Sequence, residues 1–190
     1  MNKKIFNEIK NFNEIKNKLQ KLLVGDLFIE LENKTATFNE NDAGANLKEV
    51  KIINVPSDSI IIKIDYGRAY NNIFRSENGQ LKRCDYLLIV NDNDKKILLF
   101  IEIKSETIKQ EEIVQKFRAS ECLFDYIVSM LRRFYEIDFK IDECKKRFIT
   151  FQKKRIDKKR VRPVRYGSAP EDYLAINFDP NKPPKLKTLF

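Results

Sequence analysis

Apolar residues recur at three- and four-residue spacing in two stretches of this chain, and as short β-branched runs in the stretch between them. Ile5, Ile9, Phe12, Leu19, Leu22 and Leu23, set among charged residues, predict an amphipathic helix over residues 3–23. The immediate repetition of Phe6-Asn7-Glu8-Ile9-Lys10-Asn11 as Phe12-Asn13-Glu14-Ile15-Lys16-Asn17 reads as low-complexity vocabulary within that helix. Ile113, Phe117, Phe124, Ile127, Leu131 and Phe134 predict a second, long helix over about residues 108–136, its stripe widened by Leu123, Val128 and Met130. Strand signals lie at 27–31, 51–55, 59–66 and 147–151. Residues 39–46 read as a loop. Helices alternating with strands indicate a layered α/β domain. A length of 190 residues suits one domain, taken as residues 1–166. Residues 167–190, with Pro170, Pro180, Pro183 and Pro184, form an irregular C-terminal extension that includes a short strand over 173–178.

The most apolar part of the chain is a hairpin. Asp85 heads Tyr86-Leu87-Leu88-Ile89-Val90, and Ile97-Leu98-Leu99-Phe100-Ile101 runs into Glu102-Ile103-Lys104. The polar residues 91–96 between the two runs are turn-prone. With Asn93-Asp94 as the turn, antiparallel pairing sets Asp85 opposite Glu102. Opposed side chains in such a pair have Cβ atoms roughly 4.5 to 5.5 Å apart, and like charges there destabilise the sheet. At about 4 Å and an effective dielectric near 20, the repulsion is about 4 kcal/mol, so positive charge should sit between the two acids. Alternation puts Glu102 and Lys104 on one face with Leu98 and Phe100, and Asp85 on the matching face with Leu87 and Ile89. Two carboxylates and a lysine at the edge of a core suit a divalent oxygen-seeking cation completed by water and substrate phosphate. Their spacing points to metal-assisted phosphodiester hydrolysis.

Glu-x-Lys by itself carries little information in this chain, where it begins at Glu8, Glu14, Glu32, Glu49, Glu102 and Glu143. Glu8 and Glu14 fall in the first helix, Glu32 runs into a polar loop and Glu143 follows the long helix. Glu49-Val50-Lys51 opens a strand-like run, but no apolar hairpin with an opposed Asp precedes it. Only Glu102 closes a strand whose partner carries an acid in register. The bland alternative is a structural charge cluster of Asp85, Glu102 and Lys104 at a sheet end.

The hairpin resembles the signature of the PD-(D/E)xK nuclease superfamily, in which an Asp and a following Glu-x-Lys on adjacent strands form the active site. The resemblance is strongest over residues 82–120 and extends over 3–152, with Cys84 in place of the name-giving proline. It implies a restriction-endonuclease-like αβββαβ core, a mixed central sheet flanked by helices. It implies Asp85 and Glu102 as ligands of Mg²⁺ or Mn²⁺ and Lys104 as the catalytic lysine. Members with a glutamine or lysine at the start of the following helix suggest Gln115 as a further active-site residue, with Lys109, Gln110 and Lys116 as unranked neighbours. Some members add an acid from an upstream helix, for which Glu14 and Glu77 are guesses. DNA is the substrate the resemblance favours, in restriction, repair or defence, and many enzymes of this fold act as homodimers or with a partner subunit.

Composition narrows the chemistry. The chain has no histidine, which excludes His-based nucleases, Ser-His-Asp triads and histidine-ligated zinc. Cys84, Cys122 and Cys144 are odd in number and lack Cys-x-x-Cys spacing, as expected of reduced thiols in a cytoplasmic protein. No stretch is apolar enough for a membrane span or a secretory signal. The net charge is +9, and residues 153–165 hold eight basic residues against one acid. Lys153, Lys154, Arg155, Lys158, Lys159, Arg160, Arg162 and Arg165 are therefore expected to track a nucleic-acid backbone. Lys82 and Arg83, just before the hairpin, are further candidates, as are Arg68 and Arg75. Two other readings stand beside the enzyme: a catalytically silent nucleic-acid-binding subunit of the same fold, and an assembly subunit whose basic surface meets an acidic protein.

Overall fold

The computed structural model describes residues 3–40, 45–65, 75, 77–92, 95–104, 109–153 and 167–190. Among the described residues, two α-helices and eight strands follow one another as α1 (Lys3–Leu22), β1 (Phe28–Ile29), β2 (Thr35–Asn39), β3 (Glu49–Ile53), β4 (Ile60–Lys63), β5 (Tyr86–Asp92), β6 (Lys95–Lys104), α2 (Gln110–Tyr135), β7 (Lys145–Lys153) and β8 (Leu174–Phe178). Six strands make a mixed sheet in the order β1-β4-β5-β6-β7-β8. Pairing is antiparallel from β1 to β6 and parallel from β6 through β7 to β8. Parallel neighbours need a crossover, and α2 supplies the one from β6 to β7.

β5 and β6 are apolar without alternation because both faces of the sheet are covered. On one face, Phe12, Ile15 and Leu19 of α1 and Phe117, Phe124 and Leu131 of α2 share a core with Leu87, Ile89, Leu98 and Phe100. On the other face, Phe38, Val50 and Ile52 pack with Leu88, Val90, Leu99 and Ile101. Those three residues belong to a separate two-stranded ribbon, β2 paired with β3. The result is a mixed α/β architecture of helices, central sheet and ribbon.

The ribbon corrects two expectations. β2 was not foreseen, because in Thr35-Ala36-Thr37-Phe38-Asn39 only Ala36 and Phe38 face inward and the outward face is polar. The strand expected at 51–55 lies at Glu49–Ile53 and pairs with β2 instead of joining the main sheet. Another correction concerns α2, whose expected core residue Phe134 is exposed. The buried stripe ends one turn earlier, at Leu131, while the helix runs on to Tyr135 and closes with Glu136 in the left-handed region.

The hairpin register follows the expected one, with pairs running from Tyr86↔Ile101 to Asp92↔Lys95. Its turn, residues 93–94, lies outside the described residues. The last part of the chain crosses to the ribbon face. The Ile53 N–H donates to the Pro184 carbonyl at 3.1 Å, and Leu186 and Leu189 are buried in the second core. Among the described residues, no helix is long and apolar enough to cross a membrane.

Candidate active site

Asp85 and Glu102 meet where β5 begins and β6 ends. Asp85 sits one residue before β5, where its carbonyl accepts the Ile64 N–H at 3.0 Å. Its Oδ2 accepts the Ile103 N–H at 2.6 Å, which pins the carboxyl to the end of β6. The side chain is partly exposed. Glu102, by contrast, is completely buried, with 0 % of its surface accessible.

Two ammonium groups share one oxygen of Glu102. Lys104, from the same face of β6, pairs with Oε1, and Lys116, from the second turn of α2, donates to the same atom at 2.7 Å. Both lysines are largely buried, with 12 % and 16 % of their side chains exposed. The other oxygen, Oε2, is buried and has no hydrogen-bond partner among the described residues. Positive charge is thus present twice over at Glu102, yet half of its carboxylate faces no donor among the described residues.

Protonation follows from this crowding. Burial, reinforced by the Glu102 charge, pushes the Asp85 carboxyl up to about 8, against the lowering effects of the Ile103 N–H and of Lys116 and Lys104. Without a further cation, Asp85 is therefore mainly protonated at neutral pH. Burial would lower Lys116, but the Glu102 charge and hydrogen bond outweigh it and hold its ammonium above the ordinary lysine range. Lys116 remains fully charged.

A polar staple places Lys116. Ser120, four residues along α2, is buried; its hydroxyl donates to the Lys116 carbonyl at 2.7 Å and accepts the Cys84 N–H at 2.8 Å. The turn of helix carrying Lys116 is thereby fastened to the residue before Asp85. Cys84 fills a buried position in the helix-side core, and burial pushes its thiol well up. Gln115 packs elsewhere, against Gly79: a Cβ at that glycine would lie 2.7 Å from the Gln115 Oε1, and its φ is +78°. Of the neighbours left unranked by sequence, Lys116 is the one that reaches Glu102.

The remaining candidates divide. Lys82 pairs with Glu112 at 3.7 Å, and the Arg83 guanidinium donates to the Gln80 and Lys82 carbonyls at 2.9 and 2.5 Å, so both brace the loop before β5. Lys153 is exposed at the end of β7. Lys154, Arg155, Lys158, Lys159, Arg160, Arg162 and Arg165 lie outside the described residues, as does Arg68. Arg75 pairs with Glu77 at 3.7 Å on the surface, and Glu14 is exposed on α1.

Sequence reasoning missed a polar row beside the acids. In the parallel register Glu102 lies alongside Thr150, and Lys104 alongside Gln152, which in turn neighbours Asn177 of β8. Thr150 is buried, and the Gln152 amide donates to its hydroxyl at 3.4 Å. These positions stand at the carboxyl ends of the parallel strands, where open α/β sheets bind ligands. Thr150 was visible as a polar residue inside Phe148-Ile149-Thr150-Phe151, and Ser120 as a polar residue inside the helical stripe. Their register against Glu102 and Cys84 was not.

The donor set suits Mg²⁺ or Mn²⁺. Among the described residues no three His, Cys, Asp or Glu side chains cluster as a metal cage. Magnesium, however, takes one or two carboxylates and completes its shell with water and phosphate. The unpartnered Glu102 Oε2 beside Asp85 is the kind of buried oxygen such an ion would satisfy. No family model matches this chain, and neither a curated protein nor a solved structure matches it, so its own residues carry the functional reading.

Proposed function

We propose that this chain is a metal-dependent nuclease of the PD-(D/E)xK type that hydrolyses phosphodiester bonds, with DNA as its substrate. The observation that carries the proposal is the state of Glu102: fully buried, one oxygen between two ammonium groups, the other without a partner, beside a carboxyl that is itself crowded into protonation. A purely structural ion cluster would gain by satisfying both oxygens, because a buried acceptor without a donor costs about 1–3 kcal/mol. A site that holds a cation during turnover has reason to keep one open.

In this reading Asp85 and Glu102 hold Mg²⁺ or Mn²⁺. The bound ion would polarise the scissile phosphate and lower the pKa of water. Lys104, at the end of β6, orients the attacking water and stabilises charge developing on the phosphate. Lys116 supplies a second cation for a non-bridging phosphate oxygen, in the part suggested for Gln115. Water adds to phosphorus and gives up a proton to solvent as the bond to the leaving oxygen breaks, and that oxygen takes up a proton from solvent.

Two further features support the reading. Along the chain, α1, β4, β5, β6, α2 and β7 are compatible with the αβββαβ order of a restriction-endonuclease-like core, with the edge strand β1 and the β2–β3 ribbon as additions before β4. The basic segment begins at Lys153, directly after Gln152, which lies beside Lys104. The rest of that segment adds seven Lys and Arg over 154–165. It would bind phosphates without reading sequence.

The test is cleavage of supercoiled plasmid, linear duplex, single-stranded DNA and RNA in Mg²⁺ or Mn²⁺, beside Lys104→Ala and an EDTA control. Cleavage of DNA that disappears in both controls is the expected result. A second reading, a nucleic-acid-binding subunit without hydrolysis, draws on the pairing of both lysines with Glu102, which neutralises the acid without any metal. It requires salt-sensitive binding with no cleavage under any of these conditions.

A further inference from the structure

Lys104 and Lys116 do not play equivalent parts toward Glu102. Lys104 is tied to it by the strand itself, two residues away on one face. Lys116 arrives from a different element, at the end of a long flexible stem, and its backbone is anchored independently through Ser120. The place of its backbone therefore does not depend on the contact between its ammonium and Glu102. The contact it would leave, 2.7 Å to Oε1, lies at the carboxylate that the proposed function assigns to a metal.

Charge makes the two occupancies compete. Asp85 and Glu102 carry at most two negative charges, and two lysines already compensate them within a largely buried space. A divalent ion brought into the same space would stand beside both ammonium groups, which like charges resist strongly where water is scarce. The excess is relieved if one ammonium moves out to an anion. A phosphate oxygen of a nucleic acid is such an anion, and the Lys116 side chain keeps 16 % of its surface open to solvent.

Resting on the metal-nuclease reading, we propose that Lys116 is a displaceable internal counter-ion: it holds Glu102 against metal in the free protein and is drawn off by a substrate phosphate, so that metal capture is coupled to nucleic-acid binding. The device keeps the free protein weakly metallated and loads the ion where a phosphodiester is already in place. Linkage requires the reverse effect as well: metal tightens the binding of nucleic acid by the same factor.

The experiment measures the Kd for Mn²⁺ by calorimetry, with and without a saturating short DNA duplex, in the wild type, Lys116→Met and Lys116→Gln, with the duplex checked on a gel after each titration. Lys116→Met keeps the length of the stem, and Lys116→Gln keeps a hydrogen-bond donor toward Glu102 should the methionine variant fold poorly. In the wild type the duplex should tighten Mn²⁺ binding by about 5- to 150-fold, the usual span of such couplings. In the variants Mn²⁺ should bind tighter without DNA, and the tightening by duplex should shrink at least about fivefold. Removing a positive charge without any displacement would raise Mn²⁺ affinity equally with and without duplex, and direct ligation of the metal by phosphate persists in every variant. An unchanged coupling ratio therefore overturns the proposal while leaving the nuclease reading intact. Absence of Mn²⁺ binding in all three proteins, with duplex present, removes both.

Discussion

Two strands of this protein end or begin with the same Glu-x-Lys spacing, and they behave differently. In β3, Glu49 and Lys51 form an ion pair of 2.8 Å with 48 % and 46 % of the side chains exposed, on the outer face of the ribbon. In β6, Glu102 and Lys104 form the same pair with the acid wholly buried, a second lysine on the same oxygen and Asp85 on the adjoining strand. The tripeptide sets the pairing, because residues two apart share a face. Burial, and the neighbours brought by α2 and β5, set the chemistry. A surface pair in water is worth about 0–1 kcal/mol, whereas the buried one holds charges that must be matched or used.

The sharpest way to break the comparison is to delete each acid. Glu102→Ala should lower cleavage by at least about 10²–10³-fold. It should also cost about 3–5 kcal/mol in urea unfolding, because it strands two buried ammonium groups. Glu49→Ala should leave activity intact and change stability by no more than about 0.5 kcal/mol. Equal effects of the two substitutions would show that burial is not what separates them.

The lysines give the next contrast. Lys104→Ala should slow cleavage by about 10²–10⁴-fold in a plasmid assay, whereas Lys51→Ala should not slow it. The staple behind the buried pair gives the next step down. Ser120→Ala leaves the Cys84 N–H without its acceptor, so a loss of about 1–3 kcal/mol should appear in denaturant unfolding.

The pH dependence sharpens the comparison most finely. Without metal, Asp85 in the folded protein titrates at about 8, against 3.8 ordinarily. Between those values the folded chain holds a proton that the unfolded chain has released. Stability from this group is therefore full below about 3.8 and is lost as pH rises to about 8. The decline should not exceed about 1.4 kcal/mol per pH unit, the limit for one proton. Urea midpoints across this range in EDTA should show the decline in the wild type and a flatter profile in Asp85→Asn.

The parts of the fold legible beforehand were those whose signal is local. The two helical stripes, the hairpin and its register, and the strands at β4, β7 and β8 could be read from spacing, because helix and strand periods act within a few residues. β2 was illegible for the same reason: with only Ala36 and Phe38 turned inward, its strand character depends on pairing with β3. At the candidate site, Asp85, Glu102 and Lys104 were readable as a set, and Gln115 was favoured from α2. The side chain that meets Glu102 is its neighbour Lys116. One step along a helix turns a residue by about 100°, and the docking of α2 that chooses between the two depends on Ser120 and on the loop at Gly79.

By itself the sequence determined a histidine-free, basic chain whose most apolar hairpin sets an Asp against a Glu-x-Lys, because antiparallel register follows from distance to the turn. The tertiary structure alone decided that this Glu-x-Lys is buried while that of β3 is exposed. It also decided that Lys116 and Ser120 complete its surroundings and that Thr150 and Gln152 stand alongside. Parallel pairing and helix docking join residues far apart in the chain, and no local period encodes which of them will touch.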